Sequence, residues 1–196
     1  MTLTEKLQDY RIILASASPR RQQLLEGLGF DFEVIVRETK ENFPATLKQS
    51  EIPVFLASLK ADAFDPDEFG PQTLIITADT IVWLNNQIIG KPENRDHAIS
   101  MLKQLSGNTH EVYTGVCLKT NKAIHCFSSC SKVTFRHLSD AEINWYVDTY
   151  KPYDKAGAYG AQEWIGFIGI EHIEGSFYNV MGLPTQKLYV ELCKLI

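Results

Sequence analysis

The sequence predicts an α/β or α+β domain, on three observations. Short apolar runs of strand length alternate with stretches of helical period, no segment repeats at a fixed interval, and 44% of the 196 residues are apolar against 22% charged. That composition supplies a packed interior and lacks the depletion that marks disorder.

Taken in order, Ile12-Ile13-Leu14-Ala15 is an apolar run suited to a buried strand. Ser18-Pro19 then supplies an N-cap followed by proline at the first helical position, so a helix should follow with Leu24, Leu25 and Leu28 on its apolar face and Gly27 and Gly29 near its end. Residues 30–36 alternate as a half-buried strand would, and 37–50 are polar and read as loop. Residues 52–64 predict a helix with Val54, Phe55, Ala57 and Leu59 inward, followed by a turn-rich connector over 65–71. Leu74 to Leu84 is a strand that turns at Asn85-Asn86 into a hairpin partner at Ile88-Ile89. Ala98, Ile99, Leu102 and Leu105 place a helix over 95–105, stopped by Ser106-Gly107. Two long strands, 112–119 and 123–135, form a second hairpin around Thr120-Asn121. Ser139 opens a helix with acids in its first turn and Ile143, Tyr146 and Val147 inward. Residues 164–173 read as strand, and a terminal helix after Pro184 carries Leu188, Val190 and Leu192.

Charge and composition exclude several functions. With 19 Lys and Arg against 24 Asp and Glu the net charge is −5, which disfavours adhesion to nucleic-acid polymers or anionic lipid. The first 139 residues are nearly neutral, with 15 basic and 16 acidic side chains, so an anion site belongs there. No run of about 18 apolar residues is present, and the first ten residues mix acids with polar groups, so the expectation is a cytoplasmic protein without signal peptide or span. The four cysteines show no CxxC pair; they are read as buried structural thiols, with no zinc site assigned to His125, Cys126 and Cys130.

Three features carry chemistry. In Ala15-Ser16-Ala17-Ser18-Pro19-Arg20-Arg21 two arginines stand in the first turn of a helix, where the dipole favours acids by a few tenths to about 1 kcal/mol. A bound phosphate would offset that repulsion, because backbone N–H groups, hydroxyls and guanidinium forks converge on one anion; the alternative is a solvated arginine pair. Asp79 in Thr77-Ala78-Asp79-Thr80 interrupts an apolar strand, a costly place for an acid unless it is paired, protonated or metal-bound, so it is a candidate functional carboxylate or else a turn cap. Gly90-Lys91-Pro92 returns a lysine after the hairpin. The segment 154–162, DKAGAYGAQ, sets a charged pair before small residues and ends in Gln162, whose amide both donates and accepts, as the edge of a base requires.

These segments, ASASPRRQQLLEGLGF, TADTIV with IIGKP and SGNTHEVYTGV, and DKAGAYGAQ with EGSFYNVMGLP, stand in one order over nearly the whole chain, and together they resemble the Maf family of nucleoside triphosphate pyrophosphatases. The resemblance implies one domain over residues 1–196, an α/β fold with a mixed, strongly twisted sheet flanked by helices, two lobes around a nucleotide-binding cleft, and a homodimer, which is common in the family. It implies that Ser16, Ser18, Arg20 and Arg21 grip a triphosphate, that Asp79 is the proton acceptor, that Lys60 and Lys91 are the family's lysines, and that Glu41 is its metal-associated acid, although Lys40 stands where the family has another acid. Glu41 and Asp79 would then hold a divalent cation, Mg²⁺ or Mn²⁺, which suits carboxylate and phosphate oxygens.

Within the family, Arg20, Thr80 and Gln162 match the branch that hydrolyses dTTP and UTP to the monophosphate and pyrophosphate, a nucleotide-pool house-cleaning role. The chain departs from that branch at Glu163-Trp164, where a glycine is commoner; Trp164 is read as a core residue, with base stacking the alternative. Two rival readings are a pyrophosphatase for modified or non-canonical purine triphosphates and a nucleotide-binding regulator of septum formation without turnover.

Overall fold

The computed structural model describes residues 2–196. A short first helix, α1 (Leu3–Lys6), is closed by a capping box between Thr2 and Glu5. It leads into β1 (Arg11–Leu14), of which Ile12, Ile13 and Leu14 are buried. Ser18 caps α2 (Pro19–Glu26) by accepting the Arg21 N–H, with Pro19 in the first turn and Gly29 at φ 74° beyond its end. The strand expected over 30–36 is only β2 (Glu33–Val34), whose two residues are exposed, while Phe30 is buried and Ile35 packs partly buried on the core.

Helix α3 (Glu51–Asp62) forms where its period predicts and buries Ala57 as expected, but its inward face is rotated so that Val54 and Leu59 are only half-buried. Ile52, Pro53, Leu56, Ala57 and Ala61 are buried, while Phe55 is 36% exposed. The segment is apolar around most of its circumference, so local pattern left the face open and packing chose it. After a 3₁₀ turn at Pro66–Glu68, β3 (Thr73–Leu84) runs twelve residues. It turns at Asn85 and Asn86, both at positive φ, into antiparallel β4 (Gln87–Ile89), with Val82 opposite Ile89. Next come α4 (Arg95–Leu105), β5 (Thr109–Thr120), β6 (Ile124–Phe135) and α5 (Asp140–Tyr150), all close to expectation; Ser139 and Glu142 make the capping box of α5.

The expected strand over 164–173 is divided into α6 (Trp164–Gly169) and β7 (Ile170–Glu174). Ile165 and Gly169, four apart, are buried, and Phe167 between them is 77% exposed, which is a helical pattern and not an alternating one. Two elements the sequence did not announce are α1 and α7 (Phe177–Met181). In the last helix, α8 (Thr185–Leu195), Leu188, Glu191 and Leu192 face inward and Val190 is exposed.

The strands form one open mixed sheet of seven, ordered β2-β1-β3-β5-β6-β7 with β4 paired to β3. β1 lies parallel to both β2 and β3, whereas β4 and β7 run antiparallel to their neighbours. Two compact units can be distinguished. The first comprises residues through Asp79 together with 114–129 and 182–196, and the second comprises 80–113 and 130–181. In the first, Ile13, Ala15, Phe64 and Ile75 pack together and Ala57 and Ala61 of α3 pack on Cys117. In the second, Leu102, Leu105, Phe135, Tyr146 and Ile165 are among the residues of a larger cluster.

The cysteines depart from the reading of buried thiols. Cys117 and Cys126 form a disulfide, while Cys130 and Cys193 are exposed thiols. The turn that closes with the Thr120 N–H on the Ala123 carbonyl sets Cys117 opposite Cys126, an adjacency that spacing in sequence does not display. No helix among the described residues is long and apolar enough to cross a membrane.

Candidate active site

In the first unit the strand order β2-β1-β3 reverses direction at β1, so the carboxyl end of β1 is a topological switch point, where open α/β sheets bind their ligands. The loop leaving β1 there is Ala15 to Ser18, and it runs directly into the N-terminus of α2. Its start is fixed by the Ala15 N–H on the Ile76 carbonyl (2.9 Å). Ser16 is buried, and its hydroxyl oxygen accepts the Ser18 N–H (3.3 Å) and an Arg21 Nη1–H (3.4 Å). The serine hydroxyls therefore shape the loop, whatever else they bind.

Arg21 is held by more than its own helix. Its Nε donates to the Gly182 carbonyl and its Nη1 to the Ala78 carbonyl, both at 2.8 Å. Burial pulls its pKa down from the ordinary arginine value; the negative charges of Asp79 and Glu41 oppose that pull, and the neighbouring Arg20 adds to it. The unfavourable placement of an arginine in the first turn of a helix thus has a local compensation in backbone carbonyls and nearby acids.

Asp79 ends the first unit's part of β3, with its side chain 13% exposed. Its Oδ1 accepts from Lys60 Nζ at 2.6 Å, and the same ammonium lies 2.9 Å from Glu41 Oε1. Lys60 reaches this point because α3 is fastened to β3 two residues before Asp79: the buried Thr77 hydroxyl donates to the Ala57 carbonyl, one helical turn before Lys60 (2.7 Å). The polar strand position that looked costly in the sequence is therefore paired, and the chain brings Glu41, Lys60, Asp79 and Arg21 into one electrostatic cluster.

Arg21 and Lys60 share this set with the two carboxylates, and Arg20 stands close enough to act on Arg21 electrostatically, so basic side chains gather where a polyanion could be met. The two acids converge on the Lys60 ammonium, so a metal held by both of them would take its place among these same three side chains. Among the described residues no three His, Cys, Asp or Glu side chains gather as a self-sufficient site. A cation here would complete its shell with substrate phosphate and water, the habit of Mg²⁺ and not of a protein-caged ion.

Thr80 follows Asp79 in the chain, and Lys91 and Gln162 belong to the second unit. There the Gly157 N–H donates to the Gly90 carbonyl (2.9 Å), joining the Gly90-Lys91 turn to the glycine-rich segment that leads to Gln162. Gly157 itself sits at φ 73°, a conformation that favours glycine. Gln162 is half-buried, just before α6. Sequence reasoning missed the fastening groups: Thr77, the carbonyls of Ala78 and Gly182, and the contacts of Glu163. A threonine inside the apolar β3 run was the one visible signal.

The family is now defined. A family model described as Maf-like protein matches residues 11–195, and the chain belongs to that family. It is 56% identical over 194 residues to a protein of Phocaeicola vulgatus named dTTP/UTP pyrophosphatase, covering 98% of this chain and all of that one. Proteins of the same name from Flavobacterium johnsoniae and Porphyromonas gingivalis are 52% and 50% identical, covering 99% and 97% of this chain and 100% and 96% of their own lengths. The fold also resembles a solved structure of the Staphylococcus aureus Ham1 protein, at TM-score 0.52 and 14% identity, over 95% of this chain and 100% of that chain.

Proposed function

We propose that this protein is a nucleoside triphosphate pyrophosphatase that converts dTTP and UTP to the monophosphate and pyrophosphate, with residues 1–196 acting as one catalytic domain in the cytoplasm. The observation that carries the reading is the meeting of Asp79, Lys60 and Glu41 beside the Ser16–Arg21 loop at the carboxyl end of β1. The relatives' names support the substrate.

In this reading the triphosphate lies against the N-terminus of α2, where backbone N–H groups and Arg20 neutralise its oxygens. Arg21 has two of its donors committed to carbonyls, so it acts more as the frame of the loop than as a free clamp. Asp79 accepts a proton from the water that attacks the α-phosphorus. The bond from that phosphorus to the bridging oxygen breaks, and pyrophosphate leaves with the oxygen. Lys60 and Lys91 offset charge on the leaving group, Thr80 and Gln162 contact the nucleoside, and Ser16 and Ser18 keep the loop in register. A divalent cation held by Glu41 and Asp79 would supply Lewis-acid polarisation of the phosphate.

A panel of triphosphates with product identification tests this. Monophosphate plus pyrophosphate, fastest from dTTP and UTP, is the expected result; diphosphate plus phosphate, or a preference for purines, overturns it. Asp79→Asn should abolish turnover in a protein that still shows the native circular-dichroism spectrum, and a near wild-type rate would remove Asp79 from the mechanism. Chelation should stop the reaction and Mg²⁺ or Mn²⁺ restore it.

A further inference from the structure

In the second unit the segment 155–163 is fastened on both sides of Gln162. On one side, Lys155 Nζ lies 3.1 Å from Glu163 Oε1 and 2.8 Å from Asp154 Oδ1. On the other, the Tyr146 hydroxyl of α5 donates to Glu163 Oε2 and itself accepts the Gly160 N–H (3.1 Å). Tyr146 is wholly buried, and the Lys155 and Glu163 side chains are 10% and 19% exposed. Gly160 is required for this arrangement: a Cβ there would stand 2.6 Å from the Glu163 Cδ. The single carboxylate of Glu163 therefore joins the start of the segment, its middle and helix α5.

An ion pair with so little solvent returns small net stability, because desolvation offsets most of the Coulomb attraction. What it does accomplish is geometric. Gly160 and Glu163, both anchored, flank Ala161 and Gln162, so the backbone that carries the Gln162 amide has little freedom. An amide that reads a base must be held within about half an ångström and 10–20° to discriminate.

We propose that Glu163 is a positioning residue that orients Gln162 for base recognition and so sets which nucleobase this enzyme accepts, an inference that rests on the dTTP/UTP reading above. The Tyr146 hydroxyl is its second support. Neither residue touches the reacting phosphorus, so their loss acts on the choice of base and not on the phosphoryl chemistry.

The test compares dTTP, UTP, dCTP and GTP as substrates, with inorganic triphosphate as a competitor that has phosphates but no base. Glu163→Ala and Tyr146→Phe should each raise the KM for dTTP about ten-fold and cut the dTTP-over-GTP preference by a similar factor, with kcat and the inhibition constant of inorganic triphosphate little changed. Glu163→Gln, which keeps an acceptor for the tyrosine but no charge for Lys155, should fall between. In a Gln162→Ala background, Glu163→Ala should cost no further preference. The proposal is overturned if folded Glu163→Ala keeps the wild-type preference, if all substrates and inorganic triphosphate weaken together, or if the two substitutions are additive. Should Glu163→Ala fail to fold, Glu163→Gln and Tyr146→Phe decide by the same criteria. A wild-type enzyme that does not hydrolyse dTTP or UTP refutes the underlying function before any variant is made.

Discussion

One buried and one half-buried side chain show how single residues carry stability. His110 is 1% exposed, with its Nε2 against the Tyr159 hydroxyl at 2.7 Å and its ring stacked on Phe135; burial lowers its pKa to about 4. The folded state holds it neutral, whereas the unfolded chain protonates it near 6.5, so the stability it contributes is present above pH 6.5 and is lost as pH falls toward 4. The difference is about 3 kcal/mol. Denaturant titrations of wild type and His110→Phe at pH 7.5 and 4.5 should show a smaller acid loss in the variant; equal losses would refute the assignment. Arg21 gives the second case. Its planar fork meets carbonyls in different directions, so Arg21→Lys should forfeit at least one of them, cost about 1–2 kcal/mol in thermal unfolding and raise the substrate KM.

At the scale of elements, the placement of α3 against β3 and β5 decides where Lys60 stands. Thr77→Val removes the hydroxyl bond to the Ala57 carbonyl while keeping the volume, and should cost about 1 kcal/mol with a fall of a few degrees in melting temperature. Gly115 in β5 is a harsher constraint: a Cβ there would lie 2.2 Å from the Pro53 carbonyl carbon and 2.3 Å from the Val54 nitrogen, both backbone atoms of α3. Backbone cannot swing aside as a flexible side chain can, so Gly115→Ala should push helix from strand and cost about 3 kcal/mol or more, with weaker turnover from the displaced Lys60. Wild-type melting in Gly115→Ala would show that α3 is less tightly seated than this. The caps of α2 and α5 were readable because an N-cap is a local event between a side chain and an N–H two or three residues on. The inward face of α3 and the helical turn of α6 were not, since segments apolar on most sides take their orientation from what packs on them.

For the whole molecule, charge is arranged and not merely summed. The net charge of −5 disfavours long polyanions, while Arg20, Arg21 and Lys60 gather near Asp79 and Glu41 in the first unit. Duplex DNA at physiological salt should leave hydrolysis of dTTP unchanged, whereas inorganic triphosphate should compete; strong inhibition by DNA would contradict the charge argument.

The sequence by itself determined most elements from β1 to α5, the loop between β1 and the cap of α2, and Asp79 as an acid needing a partner, because periods, caps and the cost of a lone carboxylate in an apolar strand are local properties. Only the tertiary structure decided which partner that was. Lys60 lies nineteen residues from Asp79 in the chain, Ala78 and Gly182 receive an arginine from α2, and Cys117 meets Cys126 across a turn. Such pairings depend on strand register and on the seating of helices, and those are set by the burial of the whole core and not by any short stretch of chain.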